Sequence, residues 1–416
     1  MMPVAKEMVR VAIIGIGGYG RRLAKLLLRC AQEGLCSLAA AADARLSELV
    51  PECQLLREHG VRLYSDAMEM LQALEGKCEA AYIATGIPSH RELACAAAAR
   101  GFHVHLEKPP AATIQEVDEM QAAIDKAGVR CVVGFQEMWS PGIRTIKQRI
   151  SGGRFGKIRA ITCCAGWPRD DAYYARNNWA GKLRLAGRWV LDGPATNALS
   201  HQMTNVLYLA CSDADAYAQP TAIRAELYAA APIESHDTAA IEIRTDVGVP
   251  VHFLVSHCSA EQFGPVIDIE AEHAHAVWGP QGVEIQYADG TQESWADGGE
   301  EDFRDAMVRG FLGYLSGGPV ADLRCQLADA RKMVLVIDGA HESSKRIHRI
   351  GKEHFRVVGV ATDRRRTIIE GIDDALTKAA RQRCLLSDLE AAPDWAVRTE
   401  PYDLTGYATF PQRFEV

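Results

Sequence analysis

The first third of the chain alternates short, largely apolar runs with longer amphipathic stretches. Six runs stand out: VRVAII (9–14), CSLAAAA (36–42), VRLY (61–64), AAYIA (80–84), HVHL (103–106) and CVVG (131–134). Each is short and apolar enough to be a strand covered on both faces. The stretches between them carry helix punctuation. Ser65, Ser89 and Thr113 stand at N-cap positions, Thr113 with Glu116 spells a capping box, and Gly34, Gly101 and Gly128 fall at C-terminal stops. Strand and helix in alternation predict a parallel sheet with helices on both faces.

The pattern changes near residue 135. Ser140 and Pro141 open a helix that runs to about 151, residues 155–165 read as a strand, and 170–195 form a long polar and aromatic loop. Apolar positions at 199, 203, 206, 207 and 210 predict a helix over 196–210. From 222 to 296 the period drops to two in AIRAELYA, TAAIEIRT, VPVHFLVSHC, VIDIEAEHAHAVW, VEIQYA and TQESW, with turns at Asp246 to Gly248, Gly279 to Gly282 and Asp289-Gly290. That is an open antiparallel sheet. Helices over 301–316 and 325–345 follow, then a tail with a strand, a helix over 367–383 and an irregular end. The expected fold is α/β: an N-terminal doubly wound parallel sheet plus a C-terminal α+β domain with a large open, mostly antiparallel sheet. The expected boundaries are 1–135, 136–350 and a C-terminal extension over 351–416.

Composition narrows the function classes. Hydrophobic residues make up 48% and charged residues 24%, with no apolar run long enough to cross a bilayer, so no membrane partner is expected. The net charge of −8 has no long basic run beside it, RRR at 364–366 being the nearest, which argues against nucleic acid. The twelve cysteines are scattered, with no CxxC pair, and read as reduced thiols; with no signal-like apolar core at the start, the expected location is cytoplasmic. The pairs His103/His105 and His273/His275 lack an evident third ligand, so no metal is expected. Neither a nucleophile elbow nor a phosphate-binding P-loop appears.

GIGGYG at 15–20 follows the first strand and opens the first helix, the context that the dinucleotide fingerprint requires. Gly15 permits the tight turn, Gly17 lets backbone approach a pyrophosphate, and Gly20 lets the helix lie close on the sheet; Ile16, Gly18 and Tyr19 complete the loop. This is the signature of a Rossmann domain. Asp43, at the end of the second strand, suits hydrogen bonds from an adenosine ribose and repels a 2′-phosphate, favouring NAD. Arg45, two residues on, suits a 2′-phosphate, so NADP is the alternative.

Glu107 and Lys108 stand at the carboxyl end of the fifth strand, on the same sheet edge as the glycine loop. At "EKP", Glu107, Lys108 and Pro109, the chain resembles the Gfo/Idh/MocA oxidoreductase family, and the resemblance runs from residue 9 to about 347. It implies that Lys108 contacts nicotinamide ribose and substrate. "ATGIPSH" (84–90) looks like the family's cofactor loop, bringing in Thr85, Gly86, Ile87, Pro88 and His90, and "GFQEMWSP" (134–141) looks like its entry to the second domain, bringing in Gln136. The family's D-x-G-x-H-x-x-D falls on "NALSHQMT" (197–204): His201 matches the histidine, while Asn197 and Thr204 replace the two acids. Asparagine cannot take up a proton, so any relay falls to His201, to Lys108 or to another acid such as Asp192.

"YYARNNWAGKLRLAGRW" (173–189) gathers two Tyr, two Trp, two Asn, three Arg and a Lys. Aromatic faces cover a sugar's C–H side while Asn, Arg and Lys reach its hydroxyls or an acidic substituent, which makes Asn178, Trp179 and Lys182 candidate substrate contacts. A contact loop between subunits is the competing reading. The resemblance implies an NAD-dependent oxidoreductase of a sugar, polyol or sugar derivative, with Lys108 and His201 handling the hydroxyl and Asn197 orienting. Two alternatives stand beside it: an NAD-dependent glycosidase that transiently oxidises its sugar, and a dinucleotide-binding regulator without turnover. The resemblance also implies burial of the open sheet against another subunit, in a homodimer or homotetramer.

Overall fold

The structure, a computed structural model, describes residues 8–359 and 364–416. All six expected early strands form: β1 (Arg10–Ile14), β2 (Ser37–Ala42), β3 (Arg62–Tyr64), β4 (Ala80–Ile83), β5 (His103–Leu106) and β6 (Cys131–Val133). They pair in parallel in the order β3-β2-β1-β4-β5-β6, with α1 (Tyr19–Gln32), α2 (Val50–Glu58), α3 (Ala67–Leu74), α4 (Ile87–Ala98) and α5 (Ile114–Ala127) between them. The order reverses between β1 and β4, and at such a switch point the loops leaving adjacent strands part and leave a crevice.

Local signals set most of the helix ends. Gly34, Gly101 and Gly128 take left-handed φ values of 78°, 80° and 67°, as C-terminal stops require. Two expected caps are corrected. Asp66, not Ser65, caps α3, its carboxylate accepting from Glu69 N at 2.8 Å. Ser89 lies inside the first turn of α4, where its hydroxyl bonds to Thr85 Oγ1 and Gly86 O, so Gly86 is the capping position.

The chain continues with α6 (Pro141–Ser151), whose cap Ser140 accepts from Ile143 N at 3.0 Å, and β7 (Ile158–Gly166). The expected loop over 170–195 is partly ordered: α7 (Asp171–Ala175) is followed by the hairpin β8 (Arg184–Leu185) and β9 (Arg188–Trp189). The expected helix over 196–210 is α8 (Ser200–Ala210), preceded by a π-helical turn Pro194–Ala198 in which Leu199 N donates to Pro194 O, five residues back.

The meander comprises β10 (Pro220–Ala229), β11 (Thr238–Thr245), β12 (Val251–Ser256), β13 (Phe263–Ala271), β14 (Ala274–Gly279), β15 (Gly282–Tyr287) and β16 (Gln292–Trp295). The expected single run over 266–278 is two strands, because the reversal at Glu272-His273 uses no Gly or Pro and is held instead by Lys157 O and Phe155 O. Next come α9 (Glu300–Leu315), α10 (Leu327–Ser344), β17 (His348–Arg349), β18 (Phe355–Val358), β19 (Arg366–Ile369), α11 (Ile372–Gln382) and β20 (Tyr402–Asp403). Residues 367–369, expected to begin the tail helix, belong to β19, and the helix starts only after Gly371, at φ 73°.

Contacts divide the chain into two units: Met1–Ala111, Glu116–Trp139 and Gly299–Ala330 in the first, the remainder in the second. α9 therefore groups with the parallel sheet, burying Val308, Phe311 and Leu312 in the same core as Val11, Ile13, Leu27 and Tyr82. In the second unit a ten-stranded sheet runs β16-β15-β14-β13-β7-β12-β11-β10-β17, with β20 beside β10; β7 and β12 are a parallel pair at its centre. α8 lies on β7 and β12 from one side and α11 lies on the same strands from the other. Leu376, Ala379 and Ile372 of α11 pack with Leu254, Ala240 and Tyr228. Polar ties pin this layer: Arg224 donates to both Asp388 oxygens at 2.8 Å, Ser387 Oγ to Glu226 at 2.6 Å, and Val397 N to the Tyr228 hydroxyl at 2.9 Å. The extension thus covers part of the sheet face that the resemblance assigns to a second subunit.

Candidate active site

In the first unit every expected cofactor residue sits at the carboxyl ends of the parallel strands or one turn beyond. Gly15 has φ 87°, and a side chain there would bring its first carbon to 2.6 Å from Ala84 O. Gly18 also has positive φ, 54°. A side chain at Gly17 would meet Arg45 Nη2 at 3.1 Å, and one at Gly20 would collide with Gly15 O. The loop is therefore a cradle of bare backbone. α1 has no acidic residue in its own first turn, which leaves the helix N-terminus favourable to a bound anion.

Asp43 serves this cradle directly: its carboxylate accepts from Ile16 N at 3.0 Å and Arg45 N at 2.9 Å, with Arg45 Nε 3.8 Å away. The acid and the base weighed separately in the sequence are neighbours, the acid bracing the loop. Thr85 and the capping Gly86 lead into α4, whose first two residues are Ile87 and Pro88. His90 is buried, with Nδ1 3.0 Å from Pro109 O and Nε2 3.1 Å from Thr85 O, so it ties the loop after β4 to the segment after β5. Gln136 is buried in the single 3-10 turn that follows β6.

Glu107 is buried, and burial pushes its carboxyl up to about 7, against the Lys108 ammonium, the Lys108 N–H and Arg304, which hold it down. One oxygen accepts from Lys108 N at 3.3 Å; the other, Oε1, has no hydrogen-bond partner among the described residues. Gly134 leaves it room, since a side chain there would lie 2.7 Å from Oε1. Arg304 of α9 is a residue that sequence reasoning missed. Its side chain is almost wholly buried, it donates to the Tyr19 hydroxyl at 2.9 Å and pairs with Glu301 at 2.7 Å. Nothing in a helix about 200 residues downstream marked it.

In the second unit the π-helical turn and α8 set Asn197 and His201 one turn apart, both following Asp192. His201 is buried in α8. Asn197 Nδ2 donates to Asp192 Oδ1 at 2.9 Å, and Gly181 N donates to the other oxygen at 2.7 Å. Thr204 turns its hydroxyl back to Ser200 O at 3.0 Å. Lys147, itself buried, donates to Tyr208 O in the last turn of the helix and to Cys211 O and Ala216 O beyond it. Of the expected substrate contacts, Asn178 is exposed, Trp179 is half-buried and Lys182 lies at the start of the β8 hairpin. The neighbouring Asn177 is the one that organises the turn, accepting from Trp179 N and Ala180 N. Among the described residues no three metal-ligating side chains cluster, and no helix is long and apolar enough to cross a membrane.

Residues 9–135 match the family model described as oxidoreductase family, NAD-binding Rossmann fold, and residues 143–282 match the GFO/IDH/MocA C-terminal domain. The chain belongs to the Gfo/Idh/MocA family.

Within this family, curated relatives include an inositol 2-dehydrogenase of Pseudomonas savastanoi pv. phaseolicola, 29% identical over 40% of this chain and 48% of its own length. Another is the scyllo-inositol 2-dehydrogenase (NAD(+)) of Bacillus subtilis, 28% identical over 36% and 43%. The match thus spans about half the length of these relatives. Among solved structures, the WlbA dehydrogenase from Bordetella pertussis in complex with NADH and UDP-GlcNAcA aligns with TM-score 0.67 at 22% identity, over 82% of this chain and 97% of that one. Levoglucosan dehydrogenase in complex with NADH aligns with TM-score 0.68 at 18% identity, over 81% and 97%. At these identities the structures establish the fold: a Rossmann-type parallel sheet followed by a mostly antiparallel mixed sheet.

Proposed function

We propose that the chain is an NAD-dependent oxidoreductase that moves a hydride between nicotinamide and a sugar, a polyol or a sugar derivative. The observation that carries this reading is the placement of the Glu107-Lys108 pair on the same edge of the parallel sheet as a glycine cradle shaped for a pyrophosphate. The inositol dehydrogenases among its relatives support the substrate class.

The residues that would hold the dinucleotide are Gly15 to Gly20 at the pyrophosphate, Asp43 and Arg45 at the adenosine ribose, Thr85 to Pro88 and Gln136 along the crevice, and Glu107 with Lys108 at the nicotinamide end. When bound, NAD accepts or returns the hydride. Lys108 donates a hydrogen bond to the reacting oxygen and stabilises the negative charge that develops there. His201 takes up the hydroxyl proton in oxidation and returns it in reduction. Glu107 sets the lysine's position. Asn197 cannot take up a proton; it orients the substrate or His201 and keeps a carboxylate, Asp192, one hydrogen bond away. Association into dimers or tetramers would use the part of the second sheet that the extension leaves bare.

A panel of sugars and cyclitols assayed at 340 nm with NAD tests the reading, with Lys108→Ala and His201→Ala as controls. It predicts turnover of at least one compound, with kcat lost in both variants. Asn197 and Thr204, standing where the family has acids, favour a second reading, a dinucleotide-binding regulator. NADH binding without turnover of any panel member would select it.

A further inference from the structure

The segment after β7 builds a stack that neither the cofactor cradle nor Lys108 and His201 use. Rings and guanidinium groups alternate along it. Arg169 lies 4.4 Å from the Trp167 ring centre and 4.6 Å from that of Tyr173. Arg176 lies 3.5 Å from Tyr173 and 5.4 Å from Trp179. Two cations share one tyrosine.

Neighbouring carboxylates ordinarily neutralise such a pair, but here the adjacent ones are taken. Asp170 pairs with Arg364 at 2.9 Å and Asp171 with Arg365 at 2.7 Å, both arginines coming from the C-terminal extension. Among the described residues neither Arg169 nor Arg176 has a carboxylate at ion-pair distance. Asp192 is the acid whose charge reaches Tyr173, and it is engaged by Gly181 N and Asn197. A second buried acid, Asp237, reaches the neighbouring Tyr174.

Two buried nitrogens beside the stack point to a ligand. Arg169 bonds the Tyr173 hydroxyl through its guanidinium, but its Nε is buried and has no hydrogen-bond partner among the described residues. His257 is 2% exposed, its ring stands edge-on to Tyr173 at 5.6 Å, and its Nε2 likewise has no partner. Burial first, then the charges of Arg169, His236 and Arg176, keep this imidazole neutral. Its Nδ1 lies 3.4 Å from the Tyr174 hydroxyl. The contact fits either tautomer, and in the one where the hydroxyl donates to Nδ1 the ring proton lies on Nε2, facing the stack as a donor. Unmet buried donors of this kind cost about 1–3 kcal/mol each until a ligand or water satisfies them.

We infer that Arg169 and His257, with Arg176 at the exposed rim, form a subsite for the carboxylate of an acidic sugar, a uronate or aldonate, whose apolar face lies on the aromatic side chains of the stack. A planar guanidinium fork with a ring nitrogen beside it matches one planar carboxylate. The inference rests on the sugar oxidoreductase reading and narrows its substrate class.

The test titrates the full chain, with and without NADH, with D-glucuronate, D-galacturonate and D-gluconate beside D-glucose, D-galactose and D-sorbitol, with D-glucose 6-phosphate as a further arm. At least one acid should bind about tenfold or more tighter than its neutral counterpart, the strength of one charge-assisted pair. Arg169→Met should erase that advantage and Arg176→Met reduce it, while NADH affinity, which also reports that the variants fold, stays the same. Acids that bind no better than their neutral counterparts, an advantage that survives Arg169→Met, or a phosphate that binds tighter than every acid would each overturn the subsite. Failure of NADH to bind would instead overturn the oxidoreductase reading, and the titrations without NADH would still decide the subsite.

Discussion

The two units solve the problem of placing chemistry in opposite ways. In the first, bare backbone does the work: Gly15, Gly17 and Gly20 open a cradle, and Asp43 braces it through Ile16 N. Its acid–base pair stands at one strand end, at Glu107 and Lys108. In the second, dense side-chain networks do the work. Asp192, Asn197, Arg169, Tyr173 and His257 are held by one another and by a π-helical turn. A cradle of backbone suits a ligand common to many enzymes, whereas a network of side chains suits a ligand particular to one. On the proposed reading, cofactor recognition belongs to the first unit and substrate choice to the second.

The largest effect that would sharpen this contrast is at Lys108. Lys108→Ala should lower kcat by on the order of 10²–10⁴, the range for losing a positioned proton or charge partner, while NADH affinity changes far less. Equal losses in both would make Lys108 a binding residue only.

The next effect is on stability. Burial raises the Glu107 carboxyl from 4.5 to about 7. Below about pH 4.5 the acid is protonated folded or unfolded. Between 4.5 and 7 the unfolded chain releases its proton first, so stability falls as pH rises through that window. Glu107→Gln should remove that fall, a few kcal/mol at most, visible as a smaller difference between urea midpoints at pH 5 and pH 7.5. An unchanged pH slope would place the titration elsewhere.

Gly15→Val should weaken NADH binding by about tenfold or more, since it combines a left-handed φ with a first carbon 2.6 Å from Ala84 O. Asn197→Asp is the corresponding probe of the second unit. It restores the family's acid, yet sets a carboxylate against Asp192 where a 2.9 Å hydrogen bond now stands. The expected outcome is a loss of about 1–3 kcal/mol at neutral pH that shrinks in acid as one group takes up a proton. A stable, more active variant would mean that the network does not depend on the amide.

The sequence made the first unit legible because each of its constraints is local. A glycine loop, a strand alternation and an acid at a strand end are all written within a few residues of where they act. The second unit was harder to read for physical reasons. The Glu272-His273 reversal uses neither Gly nor Pro, the turn before α8 hides inside a helical period, and β7 enters the sheet beside β12 across about 90 residues of chain. Arg304 beside Tyr19 and the tail arginines on Asp170 and Asp171 are long-range pairings with no local mark. His201 and Asn197 were found through the resemblance to the family's motif, whereas Arg169 and His257 emerged only when the fold brought β7 and β12 together.

The most direct test of the central claim is a titration of the full chain with NADH, followed by nicotinamide fluorescence. The account predicts saturable binding of one NADH per chain in the micromolar range typical of enzyme ligands, lost at least tenfold in Gly15→Val. No saturation up to millimolar NADH, or equal binding by Gly15→Val, would contradict it.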